Sequence, residues 1–278
     1  MSDTVALLDN TVQVDRKKTA TRRARIEEML GQYGWTVTTS ICLLEFKATL
    51  LQECITIHDR LRLVGRYTPV VDKLTESRHP QAKLRGHIFR NLIGVFGRSS
   101  FEVTEEEDRR LAEKARLRLE SIIPRLYKWF RWQSVDAVLH EEIECTRALE
   151  PPQKKTVAFA VNLPMCDAGK NKFCRIEEFI RARGRPIMDW LAAVVRKMPD
   201  GESSQLKRTY DLFQRVIEQP EVLLSREDCR SCGDLLIALE GSSHATHALS
   251  TNARDWRPIC EMLGMDFVQV DYPAEARI

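Results

Sequence analysis

Four carboxylates stand where oxygen-based chemistry could be assembled. Asp9 closes the apolar run Thr4–Leu8 (TVALL), so it falls at the C-terminal end of a predicted strand. Ligand and metal sites of open parallel sheets lie at that edge. Glu45 stands between Leu44 and Phe46 in SICLLEFKATLL, where a lone carboxylate loses hydration unless a cation or hydrogen bonds compensate it. Asp234 follows Cys232 and Gly233 and opens the run LLIAL, and Asp255 follows Thr251, Asn252, Ala253 and Arg254. Acids at strand ends and helix starts suit Mg²⁺ or Mn²⁺, which take oxygen ligands. Each acid alone also has an ordinary explanation: Asp9 as a turn former, Asp255 as a helix cap, Asp234 as the flank of a helix start, Glu45 as a helix-surface residue.

A second constellation is thiol-based. The chain holds 8 cysteines, and with no secretory signal they point to thiols or a metal site rather than disulfides. Cys229 and Cys232 have the spacing of a zinc hairpin, and Cys166 and Cys174 flank a polar stretch, so the four could close a structural Zn²⁺ site. They read equally as small buried hydrophobes, Cys229 and Cys232 being one turn apart on a predicted helix. Cys42, Cys54, Cys145 and Cys260 sit in apolar helical contexts and read as core. His244 and His247 read as polar surface. No HExxH, P-loop or GxGxxG pattern is present, against a zincin, a P-loop NTPase or a dinucleotide-binding dehydrogenase.

The elements that must carry these residues follow from patterning. The chain has 278 residues, 43 % hydrophobic and 30 % charged, which excludes general disorder and allows a sizeable core. The longest unbroken apolar run, Trp190–Val195, is far below the roughly 20 residues of a membrane span. The start lacks the basic n-region of a signal peptide, so the expected setting is cytoplasmic with no membrane partner. Strand Thr4–Leu8, helix Thr19–Leu30, strand Trp35–Thr39 and a long helix capped by Ser40 alternate as in an α/β fold. From about 66 to 220 the signals turn helical, including a capping box at Thr104 and Glu107, a kink or split at Pro124, and helices over Val135–Leu149, Arg175–Arg183, Pro186–Lys197 and Ser203–Glu218. The β-rich run Thr156–Val161 interrupts them. A helix over Arg226–Glu240, a strand at His247–Ser250, a helix Asp255–Leu263 and a strand Asp266–Val270 then restore the α/β rhythm. The expected organisation is a core from 1–65 and 221–278, interrupted by a helical insertion over 66–220.

The net charge of +3 is too mild to name a partner, so local clusters matter more. Arg16, Lys17, Lys18, Arg22, Arg23 and Arg25 form one; Arg175, Arg181, Arg183 and Arg185 form another. Lys128 and Arg131 interleave with Tyr127, Trp129, Phe130 and Trp132, a mixture able to hold phosphates and stack bases, or to form a solvated face over a buried aromatic stripe.

In their order, the four acids resemble the motifs of PIN-domain nucleases. LLDNTV is similar to that family's first strand, ending in Asp with a hydroxyl two residues later, here Asp9 and Thr11. TSICLLEF resembles its second motif, with Glu45, and CGDLLIALEG its third, with Asp234. HALSTNARDW resembles its fourth, with Thr251, Asn252, Asp255 and Trp256, and GMDFVQV its last strand. The resemblance covers about 1–65 and 222–278. Two features depart from it: the long connection between Glu45 and Asp234, and Asn252 where many members carry Asp.

The resemblance implies a PIN-like parallel-sheet core flanked by helices, acting as a metal-dependent endonuclease, most often on RNA, with DNA as the other substrate. It implies Asp9, Glu45, Asp234 and Asp255 as catalytic ligands of Mg²⁺ or Mn²⁺, with Thr11, Thr251 and Asn252 positioning substrate or water. Asn252 also keeps open a second reading, a catalytically inactive nucleic-acid- or protein-binding scaffold working through its helical insertion. A regulatory protein is a further expected partner of that insertion.

Overall fold

A computed structural model describes residues 4–75, 82–93, 103–128, 137–140, 142–143, 153–155, 158–160, 174–197, 205–221 and 224–272. The chain is an α/β protein. Its sheet contains β1 (Val5–Leu8), β2 (Trp35–Thr39), β3 (Val138–His140), β6 (His247–Ser250) and β7 (Asp266–Gln269), in the order β3-β2-β1-β6-β7. Every pairing in it is parallel. Four of these strands come from the two terminal segments. The fifth, β3, comes from the middle, where a helix over Val135–Leu149 was expected. Val138 and Leu139 find hydrogen-bond partners on the open edge of β2, and that pairing overrides the local helical pattern. Two short strands, β4 (Gln153–Lys155) and β5 (Ala158–Ala160), pair antiparallel apart from the main sheet.

Period-2 alternation decides what each face of the sheet buries. Leu7, Val37 and Ala248 point into one core cluster. Ala6, Leu8 and Leu249 point into another on the opposite face, with Val12, Ile26 and Met29 of α1 (Asn10–Arg16) and α2 (Ala20–Leu30). The first cluster is shared with the middle of the chain, through Ile176, Phe179, Leu191 and Phe213 of the helices that follow β5. The central segment is therefore stitched to the terminal one by a strand and by a common core.

α3 (Ser40–Val64) has 25 residues, about 37 Å of helix. Its cap is Thr39, whose hydroxyl accepts the amide of Cys42; Ser40, the expected cap, is the first helical residue. Ile41 and Cys42 face the sheet side, while Phe46, Leu50, Cys54, Ile57 and Leu61 build a third core with α4 (Thr68–Thr75), α5 (Ala82–His87) and α6 (Glu105–Lys128). Gly65 ends α3 at φ 67°, a left-handed position where a Cβ would be strained. The capping box of α6 forms as expected between Thr104 and Glu107, and α6 continues through Pro124 as a single element.

Further along run α7 (Arg175–Arg183), α8 (Met188–Arg196) and α9 (Gln205–Glu218). The expected helix Arg226–Glu240 is broken at Cys232 into α10 (Arg226–Ser231) and α11 (Gly233–Gly241). The break makes Gly233 and Asp234 the start of a new helix. α12 (Ala253–Leu263) closes the α/β rhythm, ending at Gly264 with φ 66°. Among the described residues no helix is long and apolar enough to cross a membrane.

Candidate functional site

From β1 the chain builds outward to β2 and β3, then returns to place β6 on the other side of β1. Such a reversal opens a crevice beyond the C-terminal ends of the two strands that flank it. Asp9 leaves β1 at that crevice, and Ser250, Thr251 and Asn252 leave β6 beside it. The amide of Asp9 donates to the carbonyl of Leu249 at 3.1 Å, which locks the two strand ends together.

Asp9 is 1 % exposed. Its Oδ2 accepts the Thr11 hydroxyl at 2.5 Å and the Ser250 hydroxyl at 2.7 Å. Both hydroxyls also accept amides: Thr251 N–H donates to Thr11 Oγ1 at 3.1 Å, and Asn252 N–H to Ser250 Oγ at 3.0 Å. A hydroxyl has one proton to give, so these two are committed to Asp9. Asp9 Oδ1 is buried and has no partner of good hydrogen-bond geometry among the described residues. Burial raises the Asp9 pKa above its ordinary value, opposed by the Thr11 and Ser250 hydroxyls and by the first amides of α1.

The other acids surround it. Asn10 Nδ2 donates to Glu45 Oε2 at 3.4 Å. Asp234 starts α11 with its carboxylate in the field of Asp9, Glu45 and Asp255. Burial first, and those three charges next, push its pKa up to about 8. The Trp256 indole N–H, buried and short of full hydrogen-bond geometry, works the other way. Asn252 Nδ2 donates to Asp255 Oδ2 at 2.8 Å and to Asp234 Oδ2 at 3.3 Å, so one amide spends both its protons on two acids. All four expected acids, with Thr11, Thr251 and Asn252, therefore gather at the crevice. Thr251 takes part through its backbone.

Comparison with protein-family models, with curated proteins and with solved structures finds no match for this chain. The site must be read from its own chemistry.

All the acidic donors are oxygens, which suits a hard divalent cation, and Asp9 Oδ1 is a buried acceptor without a good donor. Among the described residues, however, no three His, Cys, Asp or Glu side chains are gathered on one point as ready ligands. The carboxylates instead stand around the crevice, with Asn10 bonded to Glu45, Asn252 bridging Asp234 and Asp255, and the hydroxyl pair on Asp9. Such a cluster can attract a cation, and Asp234 can exchange a proton near neutral pH.

Four contributors escaped the sequence reading. Ser250 directly precedes Thr251 and could have been found as a second hydroxyl at a strand end. Asn10 adjoins Asp9. Gly233 and Cys42 carry no local signal. A Cβ on Gly233 would overlap Glu45 Oε1, so only glycine leaves that carboxylate its place. Cys42, read as plain core, is buried beneath the acids and donates to the Leu8 carbonyl at 3.3 Å; burial and the nearby charge of Asp9 push its thiol well up.

Of the expected zinc ligands, Cys166 lies outside the described residues. Cys174, Cys229 and Cys232 are buried in the apolar cluster that holds Leu235 and Leu236. Burial pushes the Cys232 thiol well above its ordinary value. Cys54 and Cys260 are core residues, as expected; Cys145 lies outside the described residues. The Arg175–Arg185 cluster is largely tied off: Arg175 pairs with Glu178, Arg181 with Glu177, and Arg183 with Glu142. Trp129, Phe130, Arg131 and Trp132 lie outside the described residues.

Proposed function

We propose that the chain is a metal-dependent phosphodiesterase of PIN-like architecture, cutting RNA. The observation that carries this reading is the convergence of Asp9, Glu45, Asp234 and Asp255 at the crevice between β1 and β6, where burial first and the other three charges next raise the pKa of Asp234 to about 8. Acids placed this close repel one another, and a divalent cation removes that cost. Asp9, Glu45, Asp234 and Asp255 would hold Mg²⁺ or Mn²⁺. When bound, such an ion neutralises charge on the scissile phosphate and makes a bound water more acidic. Thr11 and Ser250 fix the carboxylate of Asp9 through their hydroxyls. Asn252 fixes Asp234 and Asp255 relative to each other. Asp234, with its raised pKa, is suited to pass a proton at the site.

The direct test is cleavage of a labelled single-stranded RNA with Mn²⁺ or Mg²⁺. The expected result is cutting that stops with chelator and is lost in Asp9→Asn, with the circular-dichroism spectrum unchanged. Full activity in chelator, or in both Asp9→Asn and Asp234→Asn, overturns the reading.

The second reading, an inactive binding scaffold, rests on Asn252. Its amide already supplies two protons to two acids, doing part of what a cation would do there. RNA binding without cutting at any divalent-ion concentration would favour it.

A further inference from the structure

The basic stretch near the N-terminus is not absorbed by the acidic site. It folds into the turn between α1 and α2, and Val14 on α1 shares a core cluster with Leu84 of α5 and with Ile88 and Phe89 of the π-helical turn Ile88–Ile93 that extends it, which brings Lys17, Lys18, Arg22 and Arg23 beside that segment. Lys83 lies in the field of Arg22 and Lys18, and His87 in that of Lys17, Arg23 and Arg90. Two carboxylates answer these cations. Asp15 takes Lys18 at 2.5 Å and Arg22 at 2.6 Å, and Glu27 takes Arg16 at 3.3 Å. Lys17, Arg23 and Arg90 have no ion-pair partner among the described residues. Arg85, on the same short helix, is excluded from the group because Glu53 holds it.

Lys17 is the telling member. It is 9 % exposed, yet it carries an ammonium among like charges. A cation at a helix C-terminus is favoured by the helix dipole, which accounts for Lys17 or Arg16 but not for the cations brought in from α5 and the π turn. Burial and the neighbouring Arg16 and Arg23 lower Lys17 to about 8. Burial together with Lys17, Arg23 and Arg90 lowers His87 to about 4. Such a field is relieved by an anion.

We propose that this surface, built by the α1–α2 turn and the α5–π segment around Lys17, Arg23 and Arg90, binds the phosphodiester backbone of single-stranded nucleic acid. The inference rests on the reading of a nucleic-acid substrate and adds where that substrate's backbone is held. α1 links the two sites directly: it begins beside Asp9 and ends at Arg16, 7 residues later. That is about 10 Å, or roughly three nucleotides at the ~3.4 Å rise of a stacked strand. One short helix thus presents an acid at its start and a phosphate-holding cluster at its end. The Arg175–Arg185 group differs in having its charges largely answered by glutamates.

The test is binding of fluorescein-labelled single-stranded RNA, and of DNA of the same sequence, read by anisotropy in chelator so that nothing is cut. The variant is Lys17→Gln with Arg23→Gln and Arg90→Gln. Arg23 and Arg90 are exposed, and thermal melting confirms that the fold is kept. Wild type should bind. The triple variant should lose about tenfold or more in affinity, with a salt slope shallower by about 0.7 per lost contact. Lys17→Arg alone, which keeps the charge, should bind as wild type. Arg175→Gln with Arg183→Gln should bind as wild type. Asp9→Asn should also bind as wild type while failing to cut, which separates this site from the acidic one. Unchanged RNA affinity in the triple variant overturns the inference, as does failure of the wild type to bind. So does full displacement of RNA by millimolar inorganic phosphate, which would mark a small-anion site instead. Loss of binding in the triple variant without any metal-dependent cutting by wild type leaves the inference standing and removes the nuclease reading.

Discussion

The carboxylate of Glu45 lies against the Cα of Gly233, occupying the space a Cβ would take. One acid of the site is thus set by the absence of a side chain next to another, Asp234. Gly233→Ala would displace the far end of a flexible glutamate rather than backbone. Alanine at the start of α11 also favours the helix by up to about 1 kcal/mol. The expected outcome is a melting temperature near that of wild type with divalent-dependent cleavage reduced about tenfold or more, as when groups that orient ligands are disturbed. Equal cleavage rates in wild type and Gly233→Ala would show that Glu45 is not needed where it stands.

Asn252 joins Asp234 to Asp255 through its two amide protons. Asn252→Ala removes both donors and should cost about 1–3 kcal/mol of stability without divalent ion, since hydrogen bonds to charged groups are the stronger ones. Asn252→Asp adds a fifth carboxylate. It should melt lower than wild type in chelator and gain more from added Mn²⁺. Calorimetric scans of the three proteins with and without Mn²⁺ check the order.

The raised pKa of Asp234 makes stability depend on pH. In the folded chain it is about 8, above the ordinary carboxylate value of 3.8, so between these values the folded state holds a proton that the unfolded state has released. Stability from this group is full below about pH 4 and is lost as pH rises toward 8. The metal-free protein should therefore lose melting temperature across that window. Asp234→Asn should flatten the dependence and melt higher than wild type at pH 8. Added Mg²⁺ or Mn²⁺ should raise the wild-type melting temperature most at the alkaline end. A wild-type profile identical to that of Asp234→Asn would place the Asp234 pKa in the ordinary range.

Asp9 is positioned by hydroxyls from two different segments. Ser250→Ala and Thr11→Val each remove one donor from its Oδ2 and leave one amide, of Asn252 or Thr251, without its acceptor. Each should lower cleavage about 10–100-fold, as loss of a group orienting a ligand does. The pH profile should shift to higher pH as well, because Asp9 loses a hydrogen bond that favours its ionised form. A change in rate with an unmoved profile would mean a structural effect alone.

Glu240 concerns the fold rather than the reaction. It is fully buried on α11, and its Oε1 accepts the Ile143 amide at 3.0 Å and the Ser40 hydroxyl at 3.3 Å. It thereby ties the residues after β3 to the start of α3. Glu240→Ala leaves a buried amide without an acceptor and should cost about 1–3 kcal/mol. Glu240→Gln keeps an acceptor and should cost less. Denaturant titration of both variants, with hydrogen exchange at Ile143, measures this.

Much of this molecule was legible along the chain because its cause is local. Runs of apolar residues bounded by acids and hydroxyls placed β1, β2 and β6 nearly to the residue, and Thr104 with Glu107 marked the start of α6. The order of Asp9, Glu45, Asp234 and Asp255, with flanks that resemble PIN-domain motifs, singled them out, although each acid alone has an ordinary use. Pairing and close approach across the fold lay beyond that reach. β3 exists because β2 offers an open edge, and no helical periodicity in 135–149 can register a partner a hundred residues away. Thr39 rather than Ser40 caps α3, and both side chains also lie beside Glu240, a residue two hundred positions away. The break at Cys232 converts one expected helix into two and thereby gives Asp234 a helix start. The raised pKa of Asp234, the hydroxyl clamp on Asp9 and the vacancy at Gly233 arise only when segments some two hundred residues apart are brought within hydrogen-bond distance. Composition and spacing state which groups a chain has, whereas burial and mutual distance, which set their charge and reactivity, are properties of the packed molecule.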